Sequence, residues 1–212
     1  RNAFINLLHP FQSFVLGQKS FAVKMAAKFD INLVFYGENP GQYGSNTSIG
    51  VKKFSSGKNS EGGHRLSFDL ENKDVSEIFL GGTPIEHYLQ EGISYKELEP
   101  YLPIAESDIA KRGIDVYYLG YFIRWVPQEA YYYAVQHCGF SPNESRSEGT
   151  YSKYSSLDDK TDGFFYYTAY IKFGFGRTTQ DASQEIRNNH ITRDEGIALV
   201  KRYDGEFPKR YF

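Results

Sequence analysis

The apolar positions of this chain change their period several times along its length. RNAFINLLHPFQSF opens as an apolar stretch that Pro10 interrupts, which predicts a helix ending near His9, because proline lacks the amide donor and restricts the residue before it. From Gly17 to Phe29 the spacing is helical: Phe21, Met25 and Phe29 recur at i, i+4 and i+8, Lys19, Lys24 and Lys28 take polar positions, and Asp30 ends the run. Ile31 to Tyr36 then runs β-prone without alternation, the pattern of a strand buried in a parallel sheet. Gly37-Glu38-Asn39-Pro40-Gly41 follows at once. Ligands of open α/β sheets sit beyond the carboxyl ends of the strands, so Gly37, Glu38 and Asn39 are placed to meet one; a turn with an incidental acid is the alternative.

The next stretch, Ser45 to Gly63, is rich in Ser, Gly, Asn and Lys and reads as a loop or insertion, with Lys52, Lys53 and Lys58 on a solvated face or near phosphate. Helical texture returns after His64: a short helix over Val75 to Leu80, another opened by Thr83-Pro84, and a capping box at Ser94 to Glu97, closed by Pro100 and Pro103. DVYYLGYFIRWV, from Asp115, has the aromatic density of a strand. Pro127 with Glu129 starts a helix that Gly139 stops, placing Tyr133 and His137 on one face. A second capping box, Thr192 to Glu195, opens a last helix with Ile197, Val200 and Tyr203 as its buried stripe.

Composition narrows the class. The chain has 212 residues, 40% hydrophobic and 24% charged, enough for one sizeable core or two small ones. A net charge of −2 supplies no field for gathering nucleic acid. A single cysteine forbids an internal disulfide and agrees with a reducing cytoplasm, and no run is long enough to span a membrane.

Chemistry concentrates between Gly149 and Arg187, where charged residues are packed among tyrosines and phenylalanines. Phe173-Gly174-Phe175-Gly176-Arg177 is a glycine-bearing loop, and Thr178-Thr179-Gln180-Asp181 opens a helix whose face carries Ala182, Ile186 and His190. Gly174 and Gly176 free the backbone to turn N–H groups toward an anion, and the helix dipole and Arg177 add positive potential there. The alternative is a turn whose helix is capped by Thr178 or Thr179. Upstream, Asp158, Asp159 and Asp162 lie within five positions: they either hold Mg²⁺ or sugar hydroxyls, or serve as caps and turn residues. His137 and Cys138 have no metal-ligand spacing with the other histidines.

EGTYSKYSSLDDKTDGFFYYTAYIKFGFGRTTQDASQEIRNNHITRDEGIALVKRYDGEFP, Glu148 to Pro208, closely resembles the C-terminal part of the N-acetyl sugar amidotransferases of bacterial surface-polysaccharide and flagellin-glycan synthesis. Leu7 to Gly44 and Leu119 to Phe140 look like the same family; Ser45 to Asp74 matches least. The resemblance implies an α/β fold: the remainder of a parallel, Rossmann-like sheet of the PP-loop ATPase type over residues 1–63, followed by a mainly helical substrate or assembly region over 64–212. It implies ATP-dependent adenylation of an acetamido oxygen, with Mg²⁺, and displacement by ammonia to give an acetamidino sugar. A glutaminase subunit would supply ammonia, with a cyclase-like subunit as a further candidate partner, and the acetamido sugar would be nucleotide-linked. Carried onto this chain, the expected contacts are Gly37, Glu38 and Asn39 at the strand end, Asp158 and Asp159 for Mg²⁺ or sugar hydroxyls, Lys153, Lys172 and Arg177 for phosphate, and Tyr151, Gly174 and Gly176 beside them. The Ser-Gly-Gly-x-Asp-Ser nucleotide loop of PP-loop enzymes occurs nowhere here, and the chain opens on Arg1, so the expectation is the C-terminal part of a longer cytoplasmic enzyme. A non-catalytic sugar-binding or assembly module and a PP-loop RNA-modifying enzyme are the rival readings.

Overall fold

The computed structural model describes residues 1–37 and 78–212. These divide into two compact units, Arg1–Leu7 with Phe11–Arg124, and Leu8–Pro10 with Trp125–Phe212. The boundary expected at residue 63, the Ser45 to Gly63 loop and its lysines, and Glu38 and Asn39 all lie outside the described residues.

The first unit is mixed α/β. Helices α1 (Asn2–Leu7) and α2 (Gln12–Lys28) lead into strand β1 (Leu33–Tyr36), with Asp30 in the left-handed region between them. Strands β2 (Phe79–Leu80) and β3 (Thr83–Pro84) form a minimal antiparallel hairpin, followed by α3 (Ile85–Gln90), α4 (Tyr95–Leu98), α5 (Glu106–Lys111) and β4 (Asp115–Tyr118). β4 lies parallel to β1 in the register Leu33 with Asp115 through Tyr36 with Tyr118.

One core cluster packs Val23, Ala26 and Ala27 of α2 against Ile109, Ile114, Val116 and Tyr118; a second gathers Leu80, Ile85, Leu98 and Leu102. The capping box at Ser94 forms as the spacing predicts: the Ser94 N–H donates to Glu97 Oε2 (2.9 Å), and Glu97 N–H donates to Ser94 Oγ (3.4 Å).

Three expectations in this unit are corrected. The buried face of α2 is Ser20, Val23, Ala26 and Ala27, while Phe21 and Phe29 stand 62% and 63% exposed. Small side chains let the helix approach the sheet closely, and Ser20 is held inside by donating to the Pro100 carbonyl at 2.6 Å. Residues Phe79 and Leu80 are strand, not helix: Gly81 and Gly82, both at positive φ, make the tight turn that pairs them with Thr83 and Pro84. Strand β1 buries only one face, with Leu33 and Phe35 about half exposed on the other.

The second unit is helical: α6 (Pro127–His137), α7 (Asp162–Phe173), α8 (Arg177–Arg187) and α9 (Arg193–Tyr203), with an irregular segment between α6 and α7. Pro127 starts α6, Gly139 follows it at positive φ, and the Tyr133 and His137 rings meet at 4.5 Å. The Thr192 capping box forms, its Thr192 N–H donating to Glu195 Oε2 at 2.7 Å. The stripe expected on α9 shifts by one position. Gly196 is its buried residue, set so close to Ile186 of α8 that an added Cβ would lie 2.7 Å from Cδ1, and Ile197 faces solvent. This unit also buries polar groups where the first buries aliphatics: Thr150, Ser152, Ser155, Thr168, Thr178, Gln184 and Glu185 are all enclosed.

A candidate sugar site in the helical unit

The polar interior of the second unit is built by folding the segment before α7 across α8. Thr150 is fully buried and donates to Asp181 Oδ2 at 2.6 Å, while Thr178, also fully buried, donates to the Gly149 carbonyl at 2.6 Å. These two hydroxyls tie residues 149–150 to the first turns of α8. Asp181 Oδ1 accepts from Arg177 Nε at 3.0 Å, one helical turn earlier, so both carboxylate oxygens are engaged. Arg177 Nη1 donates to the Tyr166 hydroxyl, and the guanidinium lies 4.7 Å from the Tyr166 ring centre.

Burial works against the Arg177 cation, but Asp181, Tyr166 and Asp162 outweigh it and hold the guanidinium firmly protonated. Burial also raises Asp181, with Arg177 and Thr150 pulling the other way; donors on both its oxygens favour the anion. Asp162, at the start of α7, is raised by burial against the opposing pulls of Ser156 and Arg177. Burial pushes the Tyr166 phenol up to about 12.

Around the next turn of α8 stands a second constellation. Glu185, 8% exposed, accepts from His190 Nδ1 at its Oε2 across 2.6 Å. Tyr151 and Tyr154 both lie within the field of Asp181 and Glu185. The Tyr154 ring stacks on Tyr131 of α6 at 4.3 Å and 11°. Burial and then these carboxylates raise Tyr151, and burial lifts Tyr154 to about 12, so both phenols are hydrogen-bond donors at neutral pH. The Tyr151 hydroxyl oxygen is buried and makes no hydrogen bond among the described residues.

The loop expected to bind an anion has the predicted shape. Gly174 is left-handed (φ 76°) and ends α7 by donating to the Tyr170 carbonyl at 2.8 Å; Gly176 precedes α8. The helix start does hold an anion, and it is a carboxylate of the chain itself. Gly176 N–H donates to Asp204 Oδ2 at 2.8 Å, Thr179 N–H to Oδ1 at 3.3 Å and the Thr179 hydroxyl to Oδ2 at 2.6 Å. Neither Thr178 nor Thr179 caps α8 with its own side chain.

The remaining expected residues are dispersed. Asp158 and Asp159 are exposed, and Asp159 Oδ1 accepts from the N–H and hydroxyl of Thr161, at 2.7 and 2.8 Å, as a turn acid does. Lys153 is exposed, and Lys172 is exposed beside the Phe173 ring at 4.9 Å. Gly37 stands immediately beyond β1 in the other unit. The structure thus brings Tyr151, Arg177 and Gly176 onto α8 or its surroundings and leaves Asp158 and Asp159 at the surface.

Asp181, Thr150, Tyr166 and Glu185 build the interior and Asp204 and the exposed His190 stand at its edge, none of them expected as a site residue from the sequence; His190, expected on the face of α8, lies beyond the end of that helix at Arg187. Asp181, Glu185 and His190 did carry a signal, a spacing of four and then five that brings all three to one side of α8 and its end. Thr150 and Asp204 carried none, since each partners a residue 25 or more positions away.

A helical unit with a buried carboxylate, guanidinium and phenol network, in a chain that also carries a small α/β unit, is what these observations define. Residues 148–212 match the family model described as LPS biosynthesis protein WbpG-like, C-terminal domain. This part of the chain is thus similar to a domain of lipopolysaccharide-biosynthesis proteins, and the match begins at Glu148, just before the residues that build the polar interior. No curated protein matches the chain. No helix among the described residues is long and apolar enough to cross a membrane.

Proposed function

We propose that this chain is the C-terminal part of an ATP-dependent N-acetyl sugar amidotransferase, which converts the acetamido group of a surface-glycan sugar to an acetamidino group. The observation that carries the reading is the coincidence just described: the lipopolysaccharide-biosynthesis match covers the same residues that hold Tyr151, Asp181, Glu185 and His190. In this reading the helical unit serves the sugar. Exchange of oxygen for NH at the amide carbon requires activation of that oxygen and delivery of ammonia, for which a glutaminase subunit, with or without a cyclase-like partner, is the proposed source. The substrate is a nucleotide-linked acetamido sugar.

ATP would supply the adenylyl group that makes the acetamido oxygen a leaving group. The described residues of the helical unit do not fit ATP or Mg²⁺. Arg177 turns Nε to Asp181 and Nη1 to Tyr166 inside the unit, and Asp204 fills the α8 start. Among the described residues no three His, Cys, Asp or Glu side chains converge as a metal would need, and Asp158 and Asp159 stand in solvent. The proposed place for nucleotide chemistry is the strand end of the α/β unit, Gly37 with Glu38 and Asn39, a Rossmann-like position by the strand-end rule. Lys153 and Lys172 are the surface cations proposed for the phosphates of the sugar's nucleotide carrier.

The second reading, a non-catalytic sugar-binding or assembly module, is favoured by the internal engagement of Arg177 and of the α8 start. A net charge of −2 argues against an RNA substrate.

The test uses the protein from its native gene with glutamine, its glutaminase partner, ATP, Mg²⁺ and a panel of nucleotide-linked acetamido sugars. Pyrophosphate release and a product carrying NH in place of one oxygen are expected. Sugar binding without pyrophosphate release in the assembled complex would favour the binding module, and the absence of both would sink the proposal.

A further inference from the structure

Of the three lysines along α2, two have a neighbour that accounts for their charge. Lys24 pairs with Glu99 at 2.6 Å, and Lys28 lies 5.5 Å from the centre of the Phe29 ring. Lys19 is half-buried, and its ammonium meets no carboxylate or other acceptor among the described residues. Burial holds its pKa below the usual lysine value, because water is lost and no partner replaces it. A cation left in this condition is one that a bound anion stabilises.

Its place in the fold is where a ligand is expected. The Tyr36 hydroxyl, on the last residue of β1, donates to the Lys19 carbonyl at 2.6 Å, so Lys19 stands level with the carboxyl end of that strand. Tyr36 is in register with Tyr118, the last residue of β4, so both parallel strands end there. Ligands of α/β folds bind beyond this end. The face of α2 that packs on the sheet is apolar at Val23, Ala26 and Ala27, and Lys19, one turn before Val23, is where that face becomes cationic. The strand end is open among the described residues: a Cβ added to Gly37, the residue after β1, would meet nothing within 4 Å. Tyr118 lies on the side of the sheet that packs against α2, its ring 6.2 Å from that of Tyr36, and its hydroxyl makes no hydrogen bond among the described residues. Burial, with Tyr36 beside it, pushes the Tyr118 phenol up to about 12, so it is a neutral donor at physiological pH.

We propose that Lys19 binds a phosphoryl oxyanion beyond the carboxyl ends of β1 and β4, with the Tyr118 hydroxyl as a second donor. A lysine suits this position, since a compact ammonium on a flexible stem meets a phosphoryl oxygen as a point charge without needing a fixed bidentate geometry. The assignment rests on the reading of this strand end as the place of nucleotide chemistry, and it concerns binding alone.

The test is trace acetylation of lysines on the full chain, read by mass spectrometry, with pyrophosphate or ATP added and ionic strength matched with sodium chloride. Both are expected to slow acetylation of Lys19 and to leave Lys28, at the far end of α2, unchanged. No protection of Lys19, or equal protection of both lysines, overturns the proposal. Lys19→Gln removes an uncompensated cation, so it is expected to unfold no earlier than the parent. By isothermal titration calorimetry it is expected to bind pyrophosphate about tenfold more weakly, the loss of one charge-assisted hydrogen bond. Lys19→Arg keeps the charge and should recover part of the affinity. Tyr118→Phe should weaken binding by a smaller factor, and unchanged affinity there overturns the phenol's part. Affinity in Lys19→Gln equal to the parent's overturns the whole assignment. Neither assay needs turnover: amidotransfer by Lys19→Gln with the parent's KM for ATP would sink this site and leave the amidotransferase reading standing, and protection of Lys19 without amidotransfer would do the reverse.

Discussion

Removing the Asp204 carboxylate tests whether the start of α8 is held by the chain's own anion. Three donors converge on it, Gly176 N–H, Thr179 N–H and the Thr179 hydroxyl. Capping interactions of this kind contribute about 0.5–2 kcal/mol. A negative charge at a helix start adds about 0.3–1 kcal/mol. Since Asp204 is half-buried and water replaces part of what is lost, Asp204→Ala is expected to cost about 2 kcal/mol and Asp204→Asn, which keeps an acceptor oxygen, about half of that. Urea unfolding followed by circular dichroism reads the total, and amide exchange at Gly176 and Thr179 localises it. The vacated helix start should then take an external anion, so sulfate should restore part of the stability of Asp204→Ala and leave the parent unmoved. Unfolding of Asp204→Ala within about 0.5 kcal/mol of the parent, with unchanged exchange at both amides, would falsify the capping argument.

Gly205→Ala should be among the most damaging small substitutions. Gly205 holds φ at 74°, and an added Cβ would lie 2.4 Å from Cε1 of Tyr170, so a loss of about 3 kcal/mol is expected in thermal or urea unfolding, from strained backbone and overpacking together. Arg177→Ala leaves Asp181 buried without its cation and should cost about 3–5 kcal/mol, so its turnover is interpretable only beside its unfolding curve. The Arg146 guanidinium grips Glu206 through two bonds of 2.6 and 2.8 Å and holds its carboxyl below the usual range. Because the folded value is depressed, this contribution is fully present above the unfolded carboxylate pKa and fades as pH falls through the folded one. Glu206→Gln should therefore flatten the acid limb of the stability profile measured by unfolding from neutral pH downward.

The elements whose causes are local were legible in the chain itself. Both capping boxes, the Pro127 start and Gly139 stop of the α6 helix, and the glycine loop before Arg177 follow from side chains within a few residues of the backbone they shape. The direction of burial was not legible wherever the partner is distant. Phe21 and Phe29 satisfy a helical period, yet the sheet accepts the smaller Val23, Ala26 and Ala27 because close approach of helix and strand outweighs the area of a phenylalanine. The candidate site divides the same way. Sequence marked Tyr151, Gly176 and Arg177 as chemically dense, and its resemblance pointed to glycan synthesis, which the lipopolysaccharide-biosynthesis match over residues 148–212 supports. Only the tertiary structure decided that Asp204 fills the helix start, that Asp181 claims Arg177 and Thr150, and that the Tyr151 hydroxyl is buried without a hydrogen-bond partner among the described residues. Hydrogen bonds across 25 or more positions depend on how helices pack, and no local spacing encodes which donor a carboxylate will meet there.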